Sequence, residues 1–282
     1  MRIVSLLPAA TEIVAALGAG SWLVGVSHEC DYPPDIVRGL PRVTRTSIDT
    51  RRSSGEIDRA VRAAGSAAVT IDAELLAELR PEVVVGQTVC DVCAVGGTAL
   101  DHALASLSTP PRVVTLHPHD LADVLSGMQS VGDAIGLRDE ADELVAGLRY
   151  RLDRITERHH PTTGHAPPAT VVLEWLDPPY VAGHWVPELV AIAGGRDVGN
   201  TPGTRAVTRS WSELLALDPE RVIVALCGFD VARARRETGA VTDALARRLF
   251  SRGVEFLDGN AYTSRPGPRL VEAAERLALM FR

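Results

Sequence analysis

Seven short apolar runs punctuate the chain: "RIVSL", "WLVGVS", "EVVVGQ", "RVVTL", "TVVLEW", "RVIVAL" and "VEFLD". Most are continuous Val, Ile and Leu rather than alternating, as parallel strands buried on both faces require. Helical spacing of apolar residues separates them at Thr11–Leu17, Ala73–Leu79, Leu121–Ile135, Ser212–Leu217 and Arg269–Met280. Strand and helix in alternation predict an α/β protein with mainly parallel, Rossmann-like sheets.

One helix departs from that rhythm. In "RDEADELVAGLRYRLDRITERH" the residues Ala141, Leu144, Val145, Leu148, Leu152 and Ile155 recur at helical spacing. Acids open it and bases close it, matching the helix dipole, over roughly six turns. A Pro/Gly/Thr stretch, "HPTTGHAPPAT", follows. The expected organisation is an N-terminal lobe at 1–136, a connecting helix at 137–160 and a C-terminal lobe at 168–282. An internal echo agrees with two similar lobes. "ELLAELRPEVVVGQTVC" and "ELLALDPERVIVALC" both run helix, helix-stopping proline, apolar strand, cysteine, one on each side of the long helix.

Charge and length narrow the function classes. The formal net charge of −7 comes with no basic block, so nucleic acid is not an expected partner. No apolar stretch reaches the length of a membrane span. "MRIVSLLPAATE" reads at once as strand and capped helix, without the regions of a signal peptide. The expectation is therefore a cytoplasmic protein with reduced thiols, or a periplasmic or cell-surface one if Met1 replaces a removed signal.

In a parallel α/β sheet, ligands bind beyond the carboxyl ends of the strands. There the chain sets His28-Glu29-Cys30, then Cys90 and Cys93, then Trp175, Tyr180, His184 and Trp185. Cys227-Gly228-Phe229-Asp230 and Asn260-Ala261-Tyr262 follow the last two strands. At these loops, in "RIVSLLPAATEIVAALGAGSWLVGVS", in the "ELL" phrases and in "YVAGHWVPELVAIAGGRDV", the chain resembles the class III, helical-backbone substrate-binding proteins of ABC importers. The nearest branch is the one that takes cobalamin or iron-siderophores. The resemblance implies two α/β lobes joined by a rigid helix, a small-molecule ligand held in a cleft between them, and an ABC permease as partner.

The residues themselves support a second reading. Cys30, Cys90 and Cys93, with Cys227 from the other lobe, all follow strands, and thiolate ligation suits an iron–sulfur cluster or, less preferred, zinc. His28 and Glu29 would then move protons beside the metal in an intracellular, catalytic protein. A thioredoxin-like pair at Cys90 and Cys93 fits less well, because Gly96-Gly97 interrupts the helix that motif needs. Aromatic residues are only 4% of the chain, so the grouping of Trp175, Tyr180, Trp185 and Tyr262 suggests walls for a planar ligand such as a corrin. His184 joins them, and Asn260 and Arg265 could hold a carboxylate or phosphate. His117 and His119 have metal-like spacing, but Asp120 is placed to cap the next helix, so both are read as loop residues. No Gly-rich nucleotide motif or G-x-S-x-G elbow occurs, so NAD binding, nucleotide hydrolysis and α/β-hydrolase chemistry are not the expected functions.

Overall fold

The computed structural model describes residues 1–65, 68–87, 97–105, 107–159 and 166–282. The chain forms two compact units. The first comprises Met1–Arg52, Arg59–Pro118 and Ala122–Gly147, and the second Ser53–Asp58, His119–Leu121 and Leu148–Arg282. Two short segments of the first half thus belong to the second unit.

In the first unit, β1 (Ile3–Ser5), β2 (Leu23–Val26), β5 (Val83–Gln87) and β6 (Arg112–Leu116) form a parallel sheet in the order β2-β1-β5-β6. β3 (Thr44–Thr46) and β4 (Val69–Ile71) pair antiparallel in a sheet of their own. Val4, Leu6, Val43, Leu76, Val84 and Ala103 make a buried cluster, the packing that continuous apolar strands demand. Asp72 caps the Ala73–Leu79 helix by accepting the Leu75 N–H at 3.0 Å. The helix ends on Arg80, which takes the left-handed conformation (φ 43°) just before Pro81. Proline punctuation in the echo therefore marks a true helix end.

The long helix spans Arg138–His159, and Ala141, Val145, Leu148, Leu152 and Ile155 on its apolar stripe are buried. In the second unit, β7 (Ala169–Leu176) is central. β8 (Pro179–Val181) and β9 (Arg196–Asp197) share one of its edges, and β10 (Val207–Thr208) extends β8. β11 (Arg221–Val224) takes the other edge of β7 and carries β12 (Val254–Phe256). β7, β9, β11 and β12 are parallel, while β8 and β10 are antiparallel additions.

All seven apolar runs form strands. The strands that the pattern does not predict, β3, β4, β8, β9 and β10, are two or three residues long. A segment that short carries no period and is held by its neighbours' register. The Val231–Ala240 helix is also absent from the pattern because it buries only Ala234; its start is set by Asp230, which accepts the Arg233 N–H at 2.7 Å.

Candidate functional site

β7, β11 and β12 end together at one rim of the second unit's sheet. Bonds beyond the strands keep their extensions aligned: Cys227 N–H to Glu174 O at 3.0 Å and Leu257 N–H to Val224 O at 3.0 Å. Past β11, Gly228 turns through a left-handed φ of 71° that a larger side chain rarely adopts. The turn delivers Phe229 to Trp175, with ring centroids 5.3 Å apart and planes inclined by 58°. The Arg233 guanidinium lies 3.5 Å from the Phe229 ring centre, a cation–π contact. The Trp175 indole N–H donates to the Ser54 carbonyl at 3.2 Å, and the Ser54 N–H donates to Glu237 Oε2 at 3.0 Å. One edge of Trp175 is therefore held by the Ser53–Asp58 segment.

Past β12, Asp258 accepts the Ala261 N–H at 2.7 Å and fixes a π-helical turn, Gly259–Thr263. The Asn260 N–H bonds the Phe229 carbonyl at 3.2 Å, which joins this turn to the Phe229 loop. Arg265, only 5% exposed, donates to Asn260 Oδ1 at 2.8 Å, so these two predicted residues are neighbours. Tyr262 lies under the Arg276 guanidinium, 4.5 Å from its ring centre. Tyr180, on β8, is the antiparallel partner of Trp175.

His184 and Trp185 enter the same unit at the start of the Val186–Ile192 helix. His184 takes a left-handed φ of 55°, with its N–H on the Thr204 carbonyl at 2.6 Å and its carbonyl accepting the Gly203 N–H at 3.0 Å. Its ring lies 6.4 Å from that of His119 and 5.5 Å from that of Trp185. Trp185 is buried and donates its indole N–H to the Thr263 carbonyl at 3.0 Å, tying the His184 loop to the Gly259–Thr263 turn. Burial, with smaller contributions from His119 and Arg205, lowers the His184 pKa below its usual value, which favours a neutral imidazole at pH 7.

Of the remaining predicted residues, His28, Glu29 and Cys30 lie in the first unit, Cys227 in the second, and Cys90 and Cys93 outside the described residues. His28 is half-buried and presents both its N–H and Nδ1 to Thr44 Oγ1, at 2.9 and 2.7 Å. Burial first, and Arg42 second, lower its pKa. Glu29 is exposed, with its N–H on Ser27 Oγ at 3.2 Å. Cys30 is 1% exposed, its sulfur 3.1 Å from Thr11 Oγ1 and 3.5 Å from Ser27 Oγ. Burial pushes this thiol up despite those hydrogen bonds. Cys227 is half-buried in the second unit. Cys90 and Cys93 lie outside the described residues. Among the described residues no three His, Cys, Asp or Glu side chains are grouped to hold a metal ion.

The iron–sulfur or zinc expectation finds no ligand set among the described residues, which leave out Cys90 and Cys93, and the burial of Cys30 can be checked by itself. A direct check is alkylation. Iodoacetamide at pH 8 should leave Cys30 unmodified in the native protein and label it fully after unfolding, read by mass spectrometry of its tryptic peptide. Rapid native labelling would contradict this placement.

Phe229, Arg233, Glu237 and Ser54 were not singled out from the sequence. Phe229 stood inside the noted "CGFD" loop, and Gly228 before it was the available signal. The sequence reads His119 as a loop residue, and the fold brings its ring beside that of His184.

A family model described as periplasmic binding protein matches residues 3–249. The fold is similar to that of a periplasmic heme-binding protein from Pseudomonas aeruginosa, with TM-score 0.73, 24% identity and coverage of 99% of this chain and 92% of that one. It is similar to the periplasmic vitamin B12-binding protein of Vibrio cholerae, with TM-score 0.69, 20% identity and coverage of 99% and 96%. It is also similar to a possible iron-binding periplasmic solute-binding protein from Staphylococcus epidermidis ATCC 12228, with TM-score 0.73, 19% identity and coverage of 100% and 98%. A search of curated proteins found no match. At these identities the likeness to solved structures is one of fold.

Proposed function

The chain belongs to the periplasmic binding protein family, and from that premise we propose that it captures an iron- or cobalt-bearing small molecule and presents it to an ABC permease. Similar folds that bind heme, vitamin B12 or iron support this ligand range. The observation that carries the ligand class is the Trp175–Phe229–Arg233 set at the rim of β7 and β11. Trp175 is the part-exposed ring of this set; Phe229 is buried behind it with its plane inclined by 58°, and the Arg233 guanidinium on the Phe229 face sets a cation close to the Trp175 indole. Past β12, Tyr262 is a second part-exposed ring with a guanidinium, that of Arg276, 4.5 Å from its centre. Planar macrocycles stack on exposed aromatic rings such as Trp175 and Tyr262, and arginines pair with acidic substituents at the ring edge. A heme-like tetrapyrrole fits this chemistry first, and a corrinoid or ferric chelate next.

The test is direct titration of purified protein with hemin, cyanocobalamin and ferric citrate, followed by ligand absorbance and tryptophan quenching. One of the three should bind with Kd near or below about 1 μM, typical of specific capture. Trp175→Ala should weaken that ligand roughly tenfold, the stacking contribution of one aromatic ring. Failure of all three ligands to bind would end this reading.

A further inference from the structure

Two helices of the second unit leave a hollow between them. From the long helix, Arg151, Arg154, Ile155 and Arg158 line it at i, i+3, i+4 and i+7. From the Leu270–Met280 helix and just past it, Glu275, Ala278, Leu279 and Arg282 repeat that spacing. The hollow encloses about 470 Å³, and small-molecule sites run roughly from 300 to 1,000 Å³. Leu279 and Arg282 also border Arg221 and Val254, where β11 and β12 begin. Trp175 and Phe229 stand at the other ends of the strands, so the hollow is distinct from the surface described above.

A helical stripe turned toward a neighbouring element is ordinarily apolar. Here three of its four residues on the long helix are arginines. The helix dipole accounts for bases near that end, but not for their lining a hollow beside the buried Ile155 and Ala278.

Charge in the hollow is unbalanced. Arg151 forms a bidentate pair with Glu275, its Nη2 lying 2.9 Å from Oε1 and 3.0 Å from Oε2. Arg154 meets Glu157 at 2.6 Å in an exposed pair that a better partner can replace. Arg158 has no acid partner among the described residues. Asp153 and Glu157, the acids of the same turns, do not line the hollow.

Apolar exposure points to the same place. Of the large hydrophobic side chains described, Tyr150 at 66% and Leu279 at 60% are the most exposed, and both line this hollow. An inorganic ion would satisfy the arginines and leave Tyr150 and Leu279 in water. A neutral apolar molecule would leave Arg158 unpaired. A bilayer is too flat to fill a concave hollow that a single chain or ring can enter.

We propose that this hollow is a second ligand site, which takes a small amphiphilic anion. Its carboxylate, sulfonate or phosphate head is held by Arg154 and Arg158, which are neighbours one helical turn apart, while an alkyl chain or ring lies along Tyr150, Ile155 and Leu279. Hydrogen bonds from guanidinium groups to such a head are worth roughly ten- to hundredfold in affinity.

The experiment titrates the full chain with anilinonaphthalene sulfonate and with its neutral parent, phenylnaphthylamine, both of which brighten in apolar surroundings. The sulfonate should bind at least about tenfold tighter than the parent. Arg154→Gln/Arg158→Gln should bring the two probes level, Leu279→Gln should weaken both, and Trp175→Ala should change neither. Sodium dodecanoate should displace the sulfonate, and sodium acetate should not. The side chains replaced in the hollow are exposed, and circular dichroism confirms that the variants fold. Equal binding of the two probes by wild type, a sulfonate affinity that the arginine variant keeps, or its loss in Trp175→Ala would overturn the proposal. Displacement by phosphatidylglycerol vesicles or polyglutamate, but not by dodecanoate, would overturn it in favour of a membrane or an acidic protein segment.

Discussion

Gly259→Ala is expected to destabilise the protein by about 4 kcal/mol, at the far end of what one methyl group does. A Cβ at Gly259 would overlap the carbonyl oxygen and carbon of Leu226 and the carbonyl carbon of Ala225. All three are backbone atoms continuing β11 on the way to Phe229, and backbone cannot rotate aside as a long side chain can. The strain would push the Gly259–Thr263 turn off its seat, where Asp258 caps it and Asn260 bonds Phe229. Tyr262, Thr263 and Ser264 would move with it, so ligand capture should fall together with stability. Gly239→Ala is the control. Nothing lies within 4 Å of a Cβ there, and the residue is inside the Val231–Ala240 helix. That substitution should be neutral or stabilise by up to about 1 kcal/mol. Urea unfolding of both variants reads the difference. A Gly259→Ala protein within about 1 kcal/mol of wild type would show that the turn does not depend on this close approach.

The second large effect is a pH-dependent one at Asp197. Its Oδ1 accepts the Gly199 and Asn200 N–H groups at 2.8 and 3.1 Å, while Oδ2 is buried without a partner. Burial outweighs the two hydrogen bonds and pushes the carboxyl up from 3.8 to about 6. A displacement from 3.8 to about 6 corresponds to up to about 3 kcal/mol. Between those values the folded protein holds a proton that the unfolded chain has released. Stability from this group is therefore present at low pH and is lost as pH rises through about 6. Asp197→Asn keeps the acceptor for both N–H groups and removes the titration. The variant should gain on wild type between pH 4 and pH 7.5, by up to about 3 kcal/mol. His28 and His184, both lowered below 6.5, work in the opposite sense, withdrawing stability as pH falls below that value. Comparing variant with wild type at each pH cancels their contribution. A variant whose stability tracks wild type across the range would show that Asp197 is ionised throughout.

Much of the candidate site could be read from residue order alone. Trp175 closes the apolar run that forms β7 and Asn260 follows the one that forms β12, and neighbouring parallel strands place both at one rim. Arg265 beside Asn260 follows from a turn only a few residues long. The surroundings of Cys30 could not be read in this way. Cys30 occupies the same kind of position after β2, but Thr11 from the first helix and Ser27 close over its sulfur and burial raises its pKa. Spacing along a chain does not show which side chains arrive from elsewhere to cover a thiol.

His119 and Ser54 show the same limit from the opposite side. Both come from the first half of the chain, and neither Ser54 nor the His117/His119 spacing points to the second unit. Each belongs to the second unit, one ring beside His184 and one carbonyl on the Trp175 indole. Apolar periodicity determined the α/β class, the parallel strands and the long central helix, because burial acts on every residue of a segment and leaves a repeating mark. Tertiary structure alone decided the short antiparallel strands, the covering of Cys30 and the pairing of His184 with His119. Those depend on single contacts between residues distant in sequence, and a single contact has no period to read.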